Sequence, residues 1–389
     1  MAYLTLRLEK DSSLSFRGAS STMKLFQEEE KIIRAPSHET CIQWDLKMGL
    51  YKLSRMKQSS TEWSWIIDHV LGEGQVKCLT VLGVPSTFLN GRDDLTLSLC
   101  DLEPFGLVPM THTTGKDVKE ALIQISKRTG IIPRTIVSDH GADLWLGVKE
   151  FCKENGNKTV EHYDICHKVA VELRKCFEKD PDWHDFRAKA THTKRLLFNT
   201  DGICYAPPNQ RTKARYQNVD ILVGWSNRAL SFIEQIPLNI RSKLDWVYDY
   251  QVKIGIWTQW VQIAKEAREE IRCRGFGEGA EERLAERLAP IKMTKSSENL
   301  ACTLLDFVSF ESNKLFFCEK AIGSTEVIES LFGGFKRLKA GVCDEYGGIG
   351  RLILTMASRV GEISREVVKV ALESVRIGDV NNWLSEFLV

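Results

Sequence analysis

The pattern of apolar and polar positions changes character along the chain. Residues 15–30 read as a helix with Leu25 and Phe26 among its apolar positions. Pro36 and Ser37 suit the start of a second helix over about 38–50, which carries Ile42, Trp44 and Leu46 and which Gly49 would end. Two short helices across a tight connection fit a helix-turn-helix, whose second helix lies in a major groove, or a plain helical hairpin. From Glu62 the signal is that of strands: 63–68, 76–84, and Leu95, Leu97 and Leu99 alternating with Thr96 and Ser98. Thr114 and Asp117 make a capping-box pattern ahead of a helix whose residues Val118, Ala121, Leu122 and Ile125 fall at i, i+3, i+4 and i+7, with Gly130 at its end. A fourth strand follows at 135–138, then an amphipathic helix with Leu144, Val148 and Phe151, then a fifth strand at 159–163. The order β-β-β-α-β-α-β predicts a mixed sheet with helices on its faces. Beyond Ile165 the pattern is mostly helical to about residue 305, clearest over 242–268 and 281–289, and more helices follow residue 315.

Composition narrows the class. A chain of 389 residues is long enough for two or three domains, and 43% hydrophobic residues can bury a sizeable core. Lys and Arg number 53 against 52 Asp and Glu, a net charge of +1, which excludes a uniformly basic nucleic-acid coat and leaves room for a local patch. Such a patch lies between 185 and 215, where seven Lys and Arg face only Asp185 and Asp201. Its end, Arg211, Lys213 and Arg215, is expected to contact phosphates or to form a solvated face. No apolar run approaches the roughly 18 residues of a membrane span. The first residues do not read as a secretory signal, so a cytoplasmic protein is expected. Eleven scattered cysteines with no CxxC pair read as reduced, mostly buried thiols.

Two acids stand where strands end. Asp68 closes the first strand in Trp65-Ile-Ile-Asp68-His69, and Asp139 follows the fourth. Carboxylates converging at strand ends can hold a pair of Mg²⁺ or Mn²⁺ ions for phosphodiester chemistry; two turn aspartates that cap the next element are the other reading. A third acid is expected from the helix at 324–336. There Glu326, Glu329, Gly333 and Lys336 share one face, and Ile328, Phe332 and Phe335 another. The Gly333-Gly334 doublet would break this helix or admit a DNA backbone. His69 and His140 directly follow the two aspartates, as ligands, phosphate contacts or loop-packing residues. Of the tryptophans in the helical stretch, Trp225, beside Gly224 and Ser226, is the candidate for stacking on an unpaired base.

At this point a family resemblance enters. Ser138-Asp139-His140-Gly141-Ala142-Asp143-Leu144 resembles the second-aspartate segment of DDE transposases with an RNase H-like catalytic core, of the kind carried by bacterial insertion sequences. Glu329 and Lys336 match the Glu-x6-Lys part of their Tyr-Arg-Glu-Lys signature, with Thr325 in place of the Arg. Asp164-Ile165-Cys166-His167 is similar to the Asp/Cys-x2-His pattern of hAT-like and Mutator-like transposases. The 190 residues from Asp139 to Glu329 (329 − 139) leave room for the helical insertion of those families. The resemblance spans about residues 14–389. It implies an α/β fold: an RNase H-like mixed sheet with a large, mostly helical insertion and an N-terminal helix-turn-helix-like unit. The implied domains are a DNA-binding unit at 1–60, the catalytic core at 61–165 and 315–389, and the insertion at 166–314.

By the same resemblance, Asp68, Asp139 and Glu329 would coordinate two Mg²⁺ or Mn²⁺ ions, supported by Asp164, His167, Lys336, His140 and Glu326. Arg211, Lys213, Arg215 and Trp225 would contact DNA. Water would attack the phosphodiester at a transposon end, and the freed 3′-hydroxyl would attack target DNA, with no covalent enzyme intermediate. The partner is double-stranded DNA, held by a homo-oligomer, nucleoid-associated when bound. An inactive or repurposed DNA-binding copy, and a stand-alone RNase H-like structure-specific nuclease, are the competing functions.

Overall fold

A computed structural model describes all of the chain except residues 13, 31–33, 59–61, 72–75, 112, 211–215, 217–218, 343–348 and 387–389. The chain forms two compact units, Met1–Arg92, Thr96–His162 and Thr325–Val389 in one, and Asp93–Leu95 and Tyr163–Ser324 in the other. The sequence begins with α1 (Ala2–Ser12), α2 (Phe16–Glu30) and α3 (His38–Ser54). Then come β1 (Trp63–Leu71), β2 (Lys77–Pro85), α4 (Ser86–Asn90), β3 (Glu103–Met110), α5 (Gly115–Thr129), β4 (Thr135–Ser138), α6 (Ala142–Glu154) and β5 (Val160–Tyr163). The second unit holds α7 (Ile165–Glu178), α8 (Pro181–Leu197), α9 (Val219–Phe232), α10 (Leu238–Arg241), α11 (Gln251–Arg274), β6 (Phe276–Gly277), α12 (Ala280–Leu288), α13 (Lys295–Ser312) and β7 (Lys320–Ala321). The first unit is completed by α14 (Glu326–Val342), α15 (Ile349–Arg359), α16 (Arg365–Ser374) and α17 (Ile377–Ser385).

The five-stranded sheet has the order β3-β2-β1-β4-β5. Strands β1 and β2 pair antiparallel from Trp63 opposite Pro85 to Leu71 opposite Lys77. Strands β2 and β3 also pair antiparallel, with a register shift between Val81 and Leu82. β1 and β4 run parallel. A three-strand antiparallel meander extended past its first strand by crossover strands is the RNase H-like sheet. The third strand is not where the alternation of Leu95, Leu97 and Leu99 put it. It lies at Glu103–Met110, a segment with Pro104, Gly106 and Pro109 that reads poorly as a strand. Proline is tolerated there because β3 is an edge strand, where a missing N–H breaks no ladder on its outer side.

Strand alternation gives the sheet two different faces. Trp63, Trp65 and Ile67 of β1 join Leu79, Val81, Phe105 and Ile136 in a core that α5 and α6 cover with Val118, Leu122, Ile125, Leu144, Val148 and Phe151. The expected caps are present on α5: Thr114 accepts from the Asp117 amide, and Gly130 takes the left-handed φ of 70° at its end. The other face of β1 carries Ser64, Ile66 and Asp68, and α14 packs against this strand.

The N-terminal helices show that α3 is a packing centre. Its residues Cys41, Ile42, Asp45, Leu46, Met48, Gly49, Leu50, Lys52 and Leu53 are buried. Only Glu39, Gln43 and Ser54 of this helix are exposed. Ser37 caps its start by accepting from the Thr40 amide. The helix runs past Gly49, which serves close approach and not termination: a Cβ there would collide with the Leu354 carbonyl of α15. Lys52, fully buried, donates to the carbonyls of Ser358, Val360 and Gly361 at 3.2, 2.6 and 3.1 Å, closing the end of α15. Around it, Ser358 donates to Asp45 at 2.5 Å, Arg359 pairs with Glu9, and Lys10 reaches the Ser358 carbonyl.

The second unit is built on aromatic packing. Trp183, Trp257, Trp260, Phe177 and Phe186 meet at ring-centroid distances of 4.4–6.0 Å, mostly edge-on. Asp180 caps α8 by accepting from the Asp182 amide at 3.1 Å and also accepts from the Trp257 indole at 3.0 Å and from Lys253 at 3.1 Å. Among the described residues no helix is long and apolar enough to cross a membrane.

Burial pushes the Lys52 amine down to about 6, against 10.5 for an ordinary lysine. Between those values the unfolded chain binds the extra proton, so this residue makes stability rise with pH. Lys52→Met should lower the unfolding free energy at pH 9, where the cost of deprotonating the lysine on folding has largely gone, by about 1 kcal/mol, because the carbonyls closing α15 lose a donor. It should also flatten the rise of the urea midpoint between pH 6.5 and 9. A variant with the wild-type slope would remove Lys52 as the group responsible.

Candidate functional site

Sheet pairing sets two acids near one end of two parallel strands. Ser64, Trp65 and Ile66 of β1 stand opposite Thr135, Ile136 and Val137 of β4. The pairing ends at Ile66 and Val137; Asp68 lies two residues further along β1, and Asp139 directly follows β4. Neighbouring strands lie about 4.8 Å apart. Thr135 donates its hydroxyl to the Ser64 hydroxyl at 2.7 Å inside the sheet, which fixes the side of this pair that faces α14. Each aspartate is anchored by a local amide: His69 N–H donates to Asp68 Oδ1 at 2.6 Å, and Gly141 N–H to Asp139 Oδ1 at 2.8 Å. Both carboxylates are half-buried.

The turn after β4 is tightly determined. His140 adopts a left-handed φ of 57°, unusual for a side chain with a Cβ. Its ring faces the Glu161 carboxylate of β5. Gly141 precedes α6, and a Cβ there would lie 3.3 Å from Oδ1 of Asp139 and 3.3 Å from Oδ1 of Asp143. Asp143 gathers side chains from elsewhere: Lys77 of β2 at 3.2 Å, His69 of β1 at 3.6 Å, and a hydrogen bond with Thr113 ahead of α5. Burial pushes the Asp143 pKa up. Thr113, His69, Lys77 and the Leu144 amide outweigh that, and the carboxyl ends below its ordinary value. Burial also lowers the His69 pKa, against the opposing pull of Asp143.

Other residues singled out from the sequence are placed differently. In α14, Val327, Ile328, Leu331, Phe332 and Phe335 turn inward, while Glu326, Glu329 and Lys336 are exposed. The Gly333-Gly334 doublet continues the helix without a break. Among the described residues no three His, Cys, Asp or Glu side chains come together closely enough to hold a metal ion. Glu326 and Glu329 stand exposed in the first turn of α14, the helix that packs against β1. Asp164 and His167 belong to the helical unit. Buried Asp164 caps α7 by accepting from the Cys166 amide at 2.7 Å, and its other oxygen meets His167 Nδ1 at 2.8 Å. That Asp-x-x-His motif is thus a helix start. Trp225 is a core residue, 7% exposed, donating to the Tyr205 carbonyl at 3.1 Å, and it offers no open ring face for a base. Arg211, Lys213 and Arg215 lie outside the described residues.

Sequence reasoning missed the grouping around Asp143. It weighed His69 alone, quoted Asp143 only as part of a motif, and passed over Lys77, Thr113 and Glu161. The available signal was spacing: Asp143 falls one helical turn after Asp139, at the start of a helix.

No protein-family model and no curated protein matches the chain. Among solved structures, the Drosophila P element transposase strand transfer complex aligns with a TM-score of 0.42 and 12% sequence identity, over 94% of this chain and 92% of that one. A likeness so distant transfers no residue role and no activity.

The strained turn makes a direct prediction. At a φ of 57° glycine is unstrained and a β-branched residue is not. Both His140→Gly and His140→Val lose the contact with Glu161, so their difference isolates the backbone. His140→Val should be less stable than His140→Gly by about 1–2 kcal/mol in urea unfolding. Equal stability would mean that the turn relaxes freely.

Proposed function

We propose that this chain is a metal-dependent polynucleotidyl transferase of the DDE transposase type, which cuts and joins DNA phosphodiesters at its RNase H-like sheet. The observation that carries this reading is the parallel pairing of β1 with β4, which puts Asp68 on β1 two residues past the last paired position, while Asp139 directly follows β4. Ligand sites in open α/β sheets form at such strand ends. Two hard carboxylate donors fit Mg²⁺ or Mn²⁺, which commonly takes one or two protein carboxylates and fills its remaining positions with water and substrate phosphates. Asp68 and Asp139 would hold the cation, with Glu329, in the first turn of the helix packed on β1, as the proposed third acid. When bound, the cation would neutralise phosphate charge and activate the attacking oxygen.

The chain's own groups supply position. The amides of His69 and Gly141 each anchor one of the two carboxylates. Lys194 and Arg195, in the last turn of α8, extend the basic run that continues to Arg211, Lys213 and Arg215, and this run would hold DNA phosphates. The exposed part of α3 is too small for a helix that reads a groove, so discrimination of transposon ends is assigned to the helical unit.

A second reading, a DNA-binding copy that cuts nothing, draws support from one observation: no three donors stand together among the described residues. One experiment separates the two. Wild-type protein with Mg²⁺ should nick and join duplexes carrying the element's ends. Asp139→Asn should abolish both reactions and bind the same DNA within about threefold. Cleavage that survives EDTA overturns the metal mechanism; binding without cleavage by the wild type favours the second reading.

A further inference from the structure

We infer that Asp143 is a positioning residue for Asp139, clamped from β2 by Lys77 so that the turn bearing Asp139 is locked to the rest of the sheet. The inference rests on the reading of Asp68 and Asp139 as the cation site. An acid in the first turn of a helix ordinarily interacts with that helix's own amides and dipole. Asp143 goes further: besides the Leu144 amide at 3.0 Å, its carboxylate meets Lys77 of β2 at 3.2 Å, His69 of β1 at 3.6 Å and Thr113 ahead of α5. One carboxylate thereby ties β1, β2, the segment before α5 and the start of α6 at the same end of the sheet.

The link from Asp143 to Asp139 is Gly141. Its amide holds Asp139 Oδ1 at 2.8 Å. The space where its Cβ would stand is 3.3 Å from Oδ1 of both acids, so the two oxygens are at most twice 3.3 Å apart. Two carboxylates this close repel one another unless one is compensated. Lys77 supplies that compensation and ties Asp143 to β2. Loss of the clamp lets Asp143 turn back toward Asp139 and frees the turn.

The test uses the full-length protein and Mn²⁺ as the probe, with binding read by electron paramagnetic resonance of the free ion and cleavage read on duplex DNA. Asp139→Asn reports on the underlying site and should remove Mn²⁺ binding. Asp143→Asn should weaken Mn²⁺ binding about tenfold and lower kcat about tenfold, with KM for DNA unchanged and the thermal midpoint within about 2 °C. Lys77→Met should reproduce the loss and Lys77→Arg restore it, a pattern that a merely structural role would not give. Should Asp143→Asn fail to fold, the two Lys77 variants decide the matter alone. Wild-type Mn²⁺ binding in Asp143→Asn or, failing that, in Lys77→Met overturns the inference while leaving the site intact. Absence of any Mn²⁺ binding that Asp139→Asn removes overturns the reading beneath it.

Discussion

The parallel pairing of β1 with β4 is the constraint on which the candidate site depends. Side chains on a strand alternate between faces, so a slip of one residue would reverse every position of β1. Asp68 would then enter the aromatic core beneath α5 and α6, where Trp65, Phe105 and Phe151 leave no polar partner for it. The present register is held from several directions. Arg134 N–H donates to the Trp63 carbonyl at 2.7 Å, the Ser64 and Thr135 hydroxyls pair, and Trp65 and Ile136 share the apolar layer. Ordinary packing of a hydrophobic face thus sets the geometry of two carboxylates on the opposite side.

Charges are handled in two ways within the sheet-bearing unit. In the α1, α3 and α15 layer, Glu9, Asp45 and Lys52 are buried and Lys10 and Arg359 partly so, and they neutralise one another or close a helix end. Burial and the neighbouring Asp45 push the Glu9 carboxyl up to about 7, because its pairing with Arg359 only partly offsets the cost of desolvation. Such networks add less to stability than their number suggests, because each partner is costly to leave alone. At the end of the sheet the acids are only half-buried and their anchors are amides and one lysine. The first arrangement fixes which helices meet; the second keeps carboxylates accessible.

Much of the sheet was legible in the sequence because its strands are short apolar runs bounded by turn residues and its helices carry clear caps. Thr114, Asp117 and Gly130 do what their types suggest. The third strand was not legible, because edge position removes the penalty that makes proline a strand breaker. The alternation at Leu95, Leu97 and Leu99 came from an extended segment whose Leu95 packs into the helical unit. Gly49 misled for a related reason: a glycine chosen for close contact with another helix looks, in one dimension, like a helix end. Asp139 follows its strand as expected, but Asp68 does not close the first strand: β1 runs on to Leu71 because antiparallel pairing with β2 continues through His69 and Val70. The two faces of α14 were legible, since Ile328, Phe332 and Phe335 are buried while Glu326, Glu329 and Lys336 are exposed. The role of Asp164 and His167 as a helix start has no signature that separates it from a site motif.

The sheet-bearing unit is interrupted in sequence by the helical one. The α3 residues that pack on α15 wait for a partner about 300 positions later; Leu354 follows Gly49 by 305 residues (354 − 49). At about 5–20 residues per second, a ribosome needs roughly 15–60 s to cover that distance. Throughout that interval the apolar side of α3 lacks its native cover, whereas residues 163–324 can fold as soon as they emerge, because nearly all of their unit is contiguous. Synthesis therefore holds the first unit open until its last helices arrive.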